Sequence, residues 1–284
     1  MTDRSDSVVR AMTNDGAFRV ITVRTTETVR GAISAQHGIG RTARYFGELL
    51  TGAILIRETM APPLRVQGIL RGAHGQGSLV ADSHPSGMTR GLIQLPQSGG
   101  QVELDGAVLQ VMRTMPNGRI AQGVVEMPDA GGVSRALMAY MQISEQVVSM
   151  IAVSTVMVED AVVSAGGYIV QLLPEVGRGP LMVMTERLRD FEQIDQQLLS
   201  ENFSPQWLVD QLLFGMPFTH LDESQVSFEC WCSELRLMEA MATLGRKDIE
   251  DLLRSGELLE ISCDYCGKQY AIPPAQLRGL LDSS

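Results

Sequence analysis

Hydrophobic residues change their spacing along the first 180 positions, and each change predicts a different element. Apolar residues recur at helical spacing over 41–56 and 26–37, which predicts two helices after a strand over 17–24. From residue 64 onward apolar and polar residues alternate in short segments bounded by glycine-rich turns, as strands do. The strands predicted there are 64–70, 78–81, 91–95, 102–111 and 118–125.

Residues 134–173 continue this mixed pattern. Apolar side chains at helical spacing predict a helix over 134–147, and two apolar runs, 151–158 and 168–173, read as buried strands. Gly166-Gly167 lies between these runs and is predicted to form a turn. The fold class predicted for residues 1–180 is therefore α+β: a large, mixed and antiparallel-rich N-terminal domain.

Residues 181–227 have a different pattern, and we call them the connector. A charged amphipathic helix is predicted over Thr185–Leu199, and Ser204-Pro205 carries the signature of a second helix start, with Gly215 as its stop. The stretch shows few apolar anchors. We therefore expect a helical connector whose stability depends on what it docks against.

Residues 228–284 read as a small C-terminal module. Ser233 is predicted to cap a helix that ends near Gly245, and a second short helix is predicted over 248–254. Strands are predicted over 258–262 and 270–272 on either side of a tight turn, before a last helix that begins at Pro273-Pro274. A module this small buries too little apolar surface to fold by that means alone.

Charge is distributed unevenly along the chain, and the net charge limits the kinds of partner that the protein can bind. The formal net charge is −10, and residues 201–284 account for −8 of it, with 14 acidic and 6 basic residues. This balance opposes nucleic-acid binding, which requires a basic face. The longest weakly polar run, 147–158, is too short to cross a bilayer, so we expect a cytoplasmic protein without a membrane partner.

All four cysteines lie in the C-terminal module as two close pairs. The pattern is Cys230-x-Cys232, thirty intervening residues, and then Cys263-x-x-Cys266. Four thiolates in this arrangement suit one tetrahedral Zn²⁺ per chain. A four-sulfur site leaves no coordination position for water or substrate, so a hydrolytic centre is not expected there.

Three roles for the cysteines remain open at this stage. The first is a structural zinc staple, which supplies folding energy to a small module. The second is a redox switch, because clustered thiolates oxidise readily and each pair can close into a disulfide. The third is a thiol–disulfide oxidoreductase that uses Cys263 and Cys266; it would need this pair at a helix start in a thioredoxin-like unit.

The motifs around the cysteines resemble those of the heat shock protein 33 family, which are redox-regulated bacterial holdase chaperones. The likeness lies in Phe228 to Ser233 and in Cys263-Asp264-Tyr265-Cys266 with Tyr270. In the N-terminal domain it extends to Ser144-Glu145-Gln146 and to the segment from Ala165 to Pro174. One departure is the turn Gly72 to Gly77, where a Gly-Pro pair is expected.

The resemblance implies a chaperone rather than an enzyme, and it implies a mechanism; the chain also lacks a phosphate-binding loop motif, which agrees with ATP independence. Reduced Cys230, Cys232, Cys263 and Cys266 would hold zinc, and oxidation would pair Cys230 with Cys232 and Cys263 with Cys266. Zinc release would then unfold the zinc redox-switch module, 228–284, and the redox-responsive connector, 181–227. The chaperone core, 1–180, would bind unfolding client proteins under oxidative stress without ATP, and homodimer formation on activation is implied as well.

Overall fold

The computed structural model describes residues 5–60, 62, 64–97, 99–128, 132–174, 176–254 and 256–282. The chain divides into two compact units, Met1–Glu229 and Cys230–Ser284. The large unit therefore contains the whole of the connector, and all four cysteines belong to the small unit.

The large unit combines two antiparallel-rich sheets with helices. Its strands are β1 (Ser7–Thr13), β2 (Phe18–Arg24), β3 (Arg65–Arg71), β4 (Ser78–Ser83), β5 (Met88–Gln94), β6 (Val108–Thr114), β7 (Ile120–Glu126), β8 (Ser149–Val158), β9 (Ala161–Leu172), β10 (Phe218–Gln225) and β11 (Ser227–Phe228). Its helices are α1 (Thr26–Gln36), α2 (Gly40–Glu58), α3 (Val133–Ile143), α4 (Arg178–Arg189), α5 (Asp195–Leu198) and α6 (Pro205–Leu212). The α+β class predicted from the sequence is confirmed.

The strand order separates the two sheets. The first sheet has the order β10-β1-β2-β9-β8, and the second has the order β11-β5-β4-β3-β6-β7. Among the strand pairs of the described residues, the β11–β5 pair alone is parallel. The turn from Gly72 to Gly77 joins β3 to β4, and the amide of Gly72 donates to the carbonyl of Gly77 at 3.1 Å.

Helix α2 forms the centre of the main hydrophobic core. It packs against strands of both sheets, and Phe46, Leu49 and Leu50 are fully buried. Arg57, at the end of this helix, is also fully buried because its guanidinium donates to Glu58, to Ser83 Oγ and to the carbonyl of His84. No helix in the described ranges combines the length and apolarity that a bilayer crossing requires.

Two glycines predicted as a turn lie inside a strand instead. Gly166 and Gly167 are part of β9, and the turn between β8 and β9 falls at Glu159 and Asp160. A Cβ on Gly166 would come within 2.5 Å of the carbonyl oxygen of Val23, and one on Gly167 would come within 2.4 Å of that of Ala152. Glycine is required here by close backbone approach, which the sequence pattern does not distinguish from a turn.

The connector differs from its prediction in three ways. The single helix predicted over Thr185–Leu199 is divided into α4 and α5 by an irregular stretch. The segment is not wholly helical, because β10 extends the first sheet as the antiparallel neighbour of β1. It also has many apolar anchors; those buried in the core that it shares with the first sheet are Met184, Ile194, Leu198, Phe203, Leu208, Val209, Leu212 and Leu213.

Two smaller boundary predictions were also wrong. The strand predicted over 102–111 begins only at Val108, and the helix predicted over 134–147 ends at Ile143. By contrast, the start predicted for α6 is confirmed, since Ser204 Oγ accepts the amide of Trp207 and Pro205 is the first helical residue.

The small unit has two short strands and three helices in its described residues. These elements are α7 (Glu234–Met241), α8 (Arg246–Arg254), β12 (Leu259–Ser262), β13 (Gln269–Ile272) and α9 (Pro274–Asp282). The strands form an antiparallel hairpin. The buried apolar side chains of this unit are Met241, Ile249, Ile272 and Leu277.

Candidate metal centre

The turn between β12 and β13 presents two of the cysteines. Cys263 follows the last residue of β12, and its amide donates to the carbonyl of Lys268 at 2.8 Å. Its own carbonyl accepts the amides of Cys266 and Gly267 at 3.3 and 2.8 Å. Gly267 has a φ of 71°, which favours glycine, and this backbone turns both thiols to the same side of the hairpin.

The other two cysteines precede α7. Ser233 caps this helix by accepting the amide of Arg236 at 3.2 Å, which fixes the chain direction just after Cys232. The Arg236 guanidinium reaches back to the carbonyl of Trp231, at 2.9 Å, between the two cysteines. The cap and this hydrogen bond hold Cys230-x-Cys232 in place.

The four thiols predicted from the sequence lie together. Their Sγ atoms are all within 4.8 Å of one another, with 3.8 Å between Cys230 and Cys263 and 3.5 Å between Cys232 and Cys266. A tetrahedral ion with bonds of about 2.3 Å to sulfur requires sulfur–sulfur distances of about 3.8 Å. The donor set therefore fits a tetrahedral metal ion, and soft thiolate donors suit zinc.

The thiols differ in how readily they ionise. Burial opposes ionisation of Cys232, but hydrogen bonds from Tyr270 and from neighbouring thiols outweigh it and lower the pKa of Cys232 to about 7. Burial raises the pKa of Cys263, and burial together with hydrogen bonding to the other thiols raises the pKa of Cys266 to about 12. Without metal, Cys232 is therefore more acidic than Cys263 or Cys266.

Tyr270 has a role at the site that sequence reasoning did not assign. Its hydroxyl donates to Cys232 Sγ at 3.1 Å, and Lys268 Nζ lies 5.2 Å from the centre of its ring. Because Tyr270 belongs to β13, the hairpin that carries Cys263 and Cys266 also delivers a hydrogen bond to Cys232. The signal in the sequence that could have indicated this role is a tyrosine four positions after Cys266.

Comparisons with known proteins indicate the family and agree with the fold. The family model described as Hsp33 protein matches residues 6–273. The 33 kDa chaperonin of Desulforamulus reducens is 26% identical over 287 residues, which cover 97% of each chain. The 33 kDa chaperonin of Bacillus subtilis is 27% identical over 292 residues, which cover 98% of this chain and 99% of the relative.

A solved structure has the same fold. The crystal structure of the 33 kDa chaperonin (heat shock protein 33 homolog) from Thermotoga maritima aligns with a TM-score of 0.83 over 99% of both chains, at 21% identity. The relatives are named chaperonins rather than enzymes, which suggests a non-enzymatic role. The family match extends over nearly the whole chain, and the chain therefore belongs to the Hsp33 family of chaperones.

Proposed function

We propose that this protein is a redox-regulated, ATP-independent holdase of the bacterial cytoplasm. In the reduced state it would be inactive, with one zinc ion held by Cys230, Cys232, Cys263 and Cys266. Oxidation of these thiols would release the ion, unfold residues 228–284 and the connector, and expose an apolar surface that binds unfolding proteins.

The observation that carries this proposal is the apolar sheet face beneath the connector. Side chains of the first sheet pack directly against the buried connector residues; they are Val9, Ala11, Phe18, Val20, Ala152, Tyr168 and Val170. Two hydrogen bonds also tie the layers together, from Thr22 Oγ1 to the carbonyl of Pro205 at 2.8 Å and from Tyr168 Oη to that of Phe191 at 3.2 Å. Release of the connector would turn this face into a contiguous apolar patch, as protein-binding surfaces are.

The small unit is suited to respond to oxidant. The four apolar side chains that are buried among its described residues form too little core for independent stability, so cross-linking by a bound ion would supply the folding energy. The ion, when bound, would supply four bonds to sulfur and no catalysis. Each disulfide forms when two thiols lose two electrons and two protons to a peroxide, which is reduced to two waters, and that pair of donors is then lost.

The disulfide pairing within each close sequence pair is part of the proposal. In the reduced arrangement, the hydrogen-bonded sulfur pairs are Cys230 with Cys263 and Cys232 with Cys266. Pairing of Cys230 with Cys232 and of Cys263 with Cys266 would instead join sulfurs within each half of the site, which also lie within 4.8 Å of one another. Disulfides within each half would leave the two halves without a link to each other, which fits a unit that unfolds, and peptide mapping of the oxidised protein would identify the bonds.

Two other roles make different demands on the site. A thiol–disulfide oxidoreductase needs a low-pKa cysteine at a helix start, whereas Cys263 and Cys266 lie between two strands and have raised pKa values. A purely structural staple would retain its metal and its fold in peroxide. Treatment with peroxide therefore distinguishes a structural staple from a redox switch.

The test measures metal, thiols and protection of a client in the same samples. Reduced protein is expected to contain one zinc and four titratable thiols per chain. Peroxide with mild warming should remove both and should suppress light scattering by a heat-unfolding client, with no ATP present. Sedimentation of the oxidised sample would test the proposed homodimer.

The control is a variant with all four cysteines replaced by serine, treated in the same way. It should bind no zinc, and its client protection should not respond to peroxide. The proposal would be wrong if oxidised protein kept its zinc, or if client protection were equal before and after oxidation.

A further inference from the structure

A cavity rich in hydrogen-bond donors lies where the connector crosses the ends of β2 and β9. Its volume is about 350 Å³. Its polar lining comes from both layers; the residues are Arg24, Ser164, Ser200, Asn202 and Ser204, with Glu201 as an exposed acidic neighbour. These groups have no part in the redox chemistry proposed above.

Strand register places Arg24 and Ser164 on the side of the sheet that faces the connector. Arg24 pairs with Gly166 of β9, and a Cβ on Gly166 would lie 3.1 Å from connector side chains of Leu198 and Phe203. Ser164 precedes Gly166 by two positions on the same strand, so it points to the same side. The side chains of both residues therefore point toward the connector loop that precedes α6.

Arg24 is a cation without an acceptor. Within the part of the chain that the structure describes, its guanidinium forms no hydrogen bond or ion pair, and its Nε is buried without a partner. The guanidinium carbon lies 5.9 Å from the centre of the Phe203 ring, which orients the group. Asp6 attracts Arg24 only at longer range, since the Asp6 carboxylate accepts the amide of Thr28. A buried donor left unpaired destabilises the fold unless something else binds it.

The hydroxyls around Arg24 are also available as donors. Ser164 is only 6% exposed, and no partner for its hydroxyl occurs among the described residues. The oxygens of Ser200 and Ser204 accept the backbone amides of Asn202 and Trp207, which leaves each hydroxyl hydrogen free to donate. The positive end of α6 lies at the same place, since the helix begins at Pro205.

We propose that Arg24, Ser164, Ser200, Asn202 and Ser204 form a binding site for a tetrahedral oxyanion of the phosphate class. The source is free phosphate or the terminal group of a phosphate chain. A guanidinium and several hydroxyl donors match an anion with oxygens on every side, and an amide side chain adds two further donors.

Such a ligand would also act on the connector. It would contact Arg24 and Ser164 from the sheet and the 200–204 loop from the connector, so its binding free energy would be available only while the two are packed together. This regulatory consequence rests on the proposed function, whereas binding of the anion does not. In cells, phosphate would then raise the oxidant exposure needed to release the connector.

Calorimetric titration of the full-length, reduced and zinc-loaded protein tests the site. The probes are inorganic phosphate, tripolyphosphate and acetate, at constant pH and ionic strength. We expect one saturable phosphate site per chain and no acetate binding. Arg24→Gln and Ser164→Ala should each weaken phosphate binding, the former at least about tenfold, since a charge-assisted hydrogen bond contributes that much.

Arg119→Gln is the matched control, because it removes the same charge from an exposed position outside the cavity. It should leave the affinity unchanged. Tighter binding of tripolyphosphate than of phosphate would identify a chain terminus as the ligand, and equal binding would identify the free ion. Near-UV circular dichroism checks folding, and Ser164→Ala decides the matter if Arg24→Gln does not fold.

Three results would overturn the site: no saturable phosphate binding, equal affinity in both cavity variants and the control, or equal binding of acetate. If phosphate acted only as a general salt, it would raise the melting temperature of the cavity variants and of the control by the same amount. An oxidised protein without client protection would refute the proposed function yet leave the calorimetric result standing, so the two failures are distinguishable.

Discussion

The two compact units are stabilised in different ways. In the large unit, α2 buries an apolar face against strands of both sheets, and its core extends over most of the chain before residue 174. In the small unit the buried apolar core consists of Met241, Ile249, Ile272 and Leu277, and four thiols lie within 4.8 Å of one another. One unit is held by apolar burial, and under the proposed function the other would depend on bonds to a metal ion that an oxidant can remove.

The connector is intermediate between the two units in how strongly it is stabilised. Its buried leucines and Phe203 share a core with the first sheet, yet α4, α5 and α6 are short helices that would be marginal in isolation. Short elements that depend on docking open at lower free energy than a central helix such as α2. The difference teaches that a local loss of bonds in the small unit need not unfold the large one.

Removing the metal without oxidation should have the largest effect and should separate the stabilities of the two units. A zinc chelator added to the reduced protein should unfold residues 230–282, because structural zinc contributes about 10–16 kcal/mol in small modules. Amide exchange measured by mass spectrometry should lose its protection there and keep it in α2 and β9. Unchanged protection of 230–282 after complete zinc removal would show that the small core suffices.

Truncating a buried connector leucine should have the next largest effect. Leu208 of α6 is fully buried, so Leu208→Ala should cost about 2–5 kcal/mol of docking free energy. Amide exchange over 178–213 should accelerate while α2 is unaffected. Leu199→Ala, at an exposed position, is the control and should change exchange little. Equal effects of the two variants would contradict the proposed docking.

A buried carboxyl in α2 makes the large unit sensitive to pH. Burial raises the pKa of Glu48 to about 7, although Arg44 donates to it at 3.0 Å. Between about pH 4.5 and 7 the folded state then holds a proton that the unfolded state has lost, so stability falls as pH rises. Glu48→Gln should remove this loss, and its advantage should grow to at most about 3 kcal/mol above pH 7. Urea unfolding at several pH values measures it, and parallel curves for both proteins would exclude the effect.

Helix caps should have the smallest effects. Ser233→Ala removes the acceptor for the amide of Arg236 and should cost the small unit about 1 kcal/mol. The zinc-loaded unit should stay folded, but about fivefold less chelator should strip half of the metal. Ser204→Ala makes the same change at α6 and should leave the chelator midpoint unchanged. A shift of the same size in both variants would mean that the midpoint does not report on the small unit.

The sequence predicted the elements whose hydrophobic period was clear and missed those set by distant partners. Helix α2 was predicted to within two residues at each end, and the four thiols came together as their spacing indicated. Strand β10 was missed because its exposed positions carry no apolar alternation, and pairing with β1 fixes it instead. Strand β1 was obscured by Arg10, which the structure pairs with Glu58 and Asp222.

The same limit applies at the candidate site. Metal-ligand spacing is local and can be seen in the sequence, whereas the hydrogen bond from Tyr270 to Cys232 joins residues 38 positions apart. The Arg24 cavity combines two strands with a loop of the connector, so no sequence motif marks it. Contacts between segments that are remote in sequence could therefore not be predicted, and only the structure revealed them.

Amide exchange of reduced and peroxide-treated protein, with zinc measured on the same samples, tests the central claim most directly. The account predicts that zinc loss coincides with loss of protection in both 230–282 and 178–213, while α2, β2 and β9 stay protected. A connector that kept full protection after zinc had left, or a large unit that unfolded together with the small one, would contradict it.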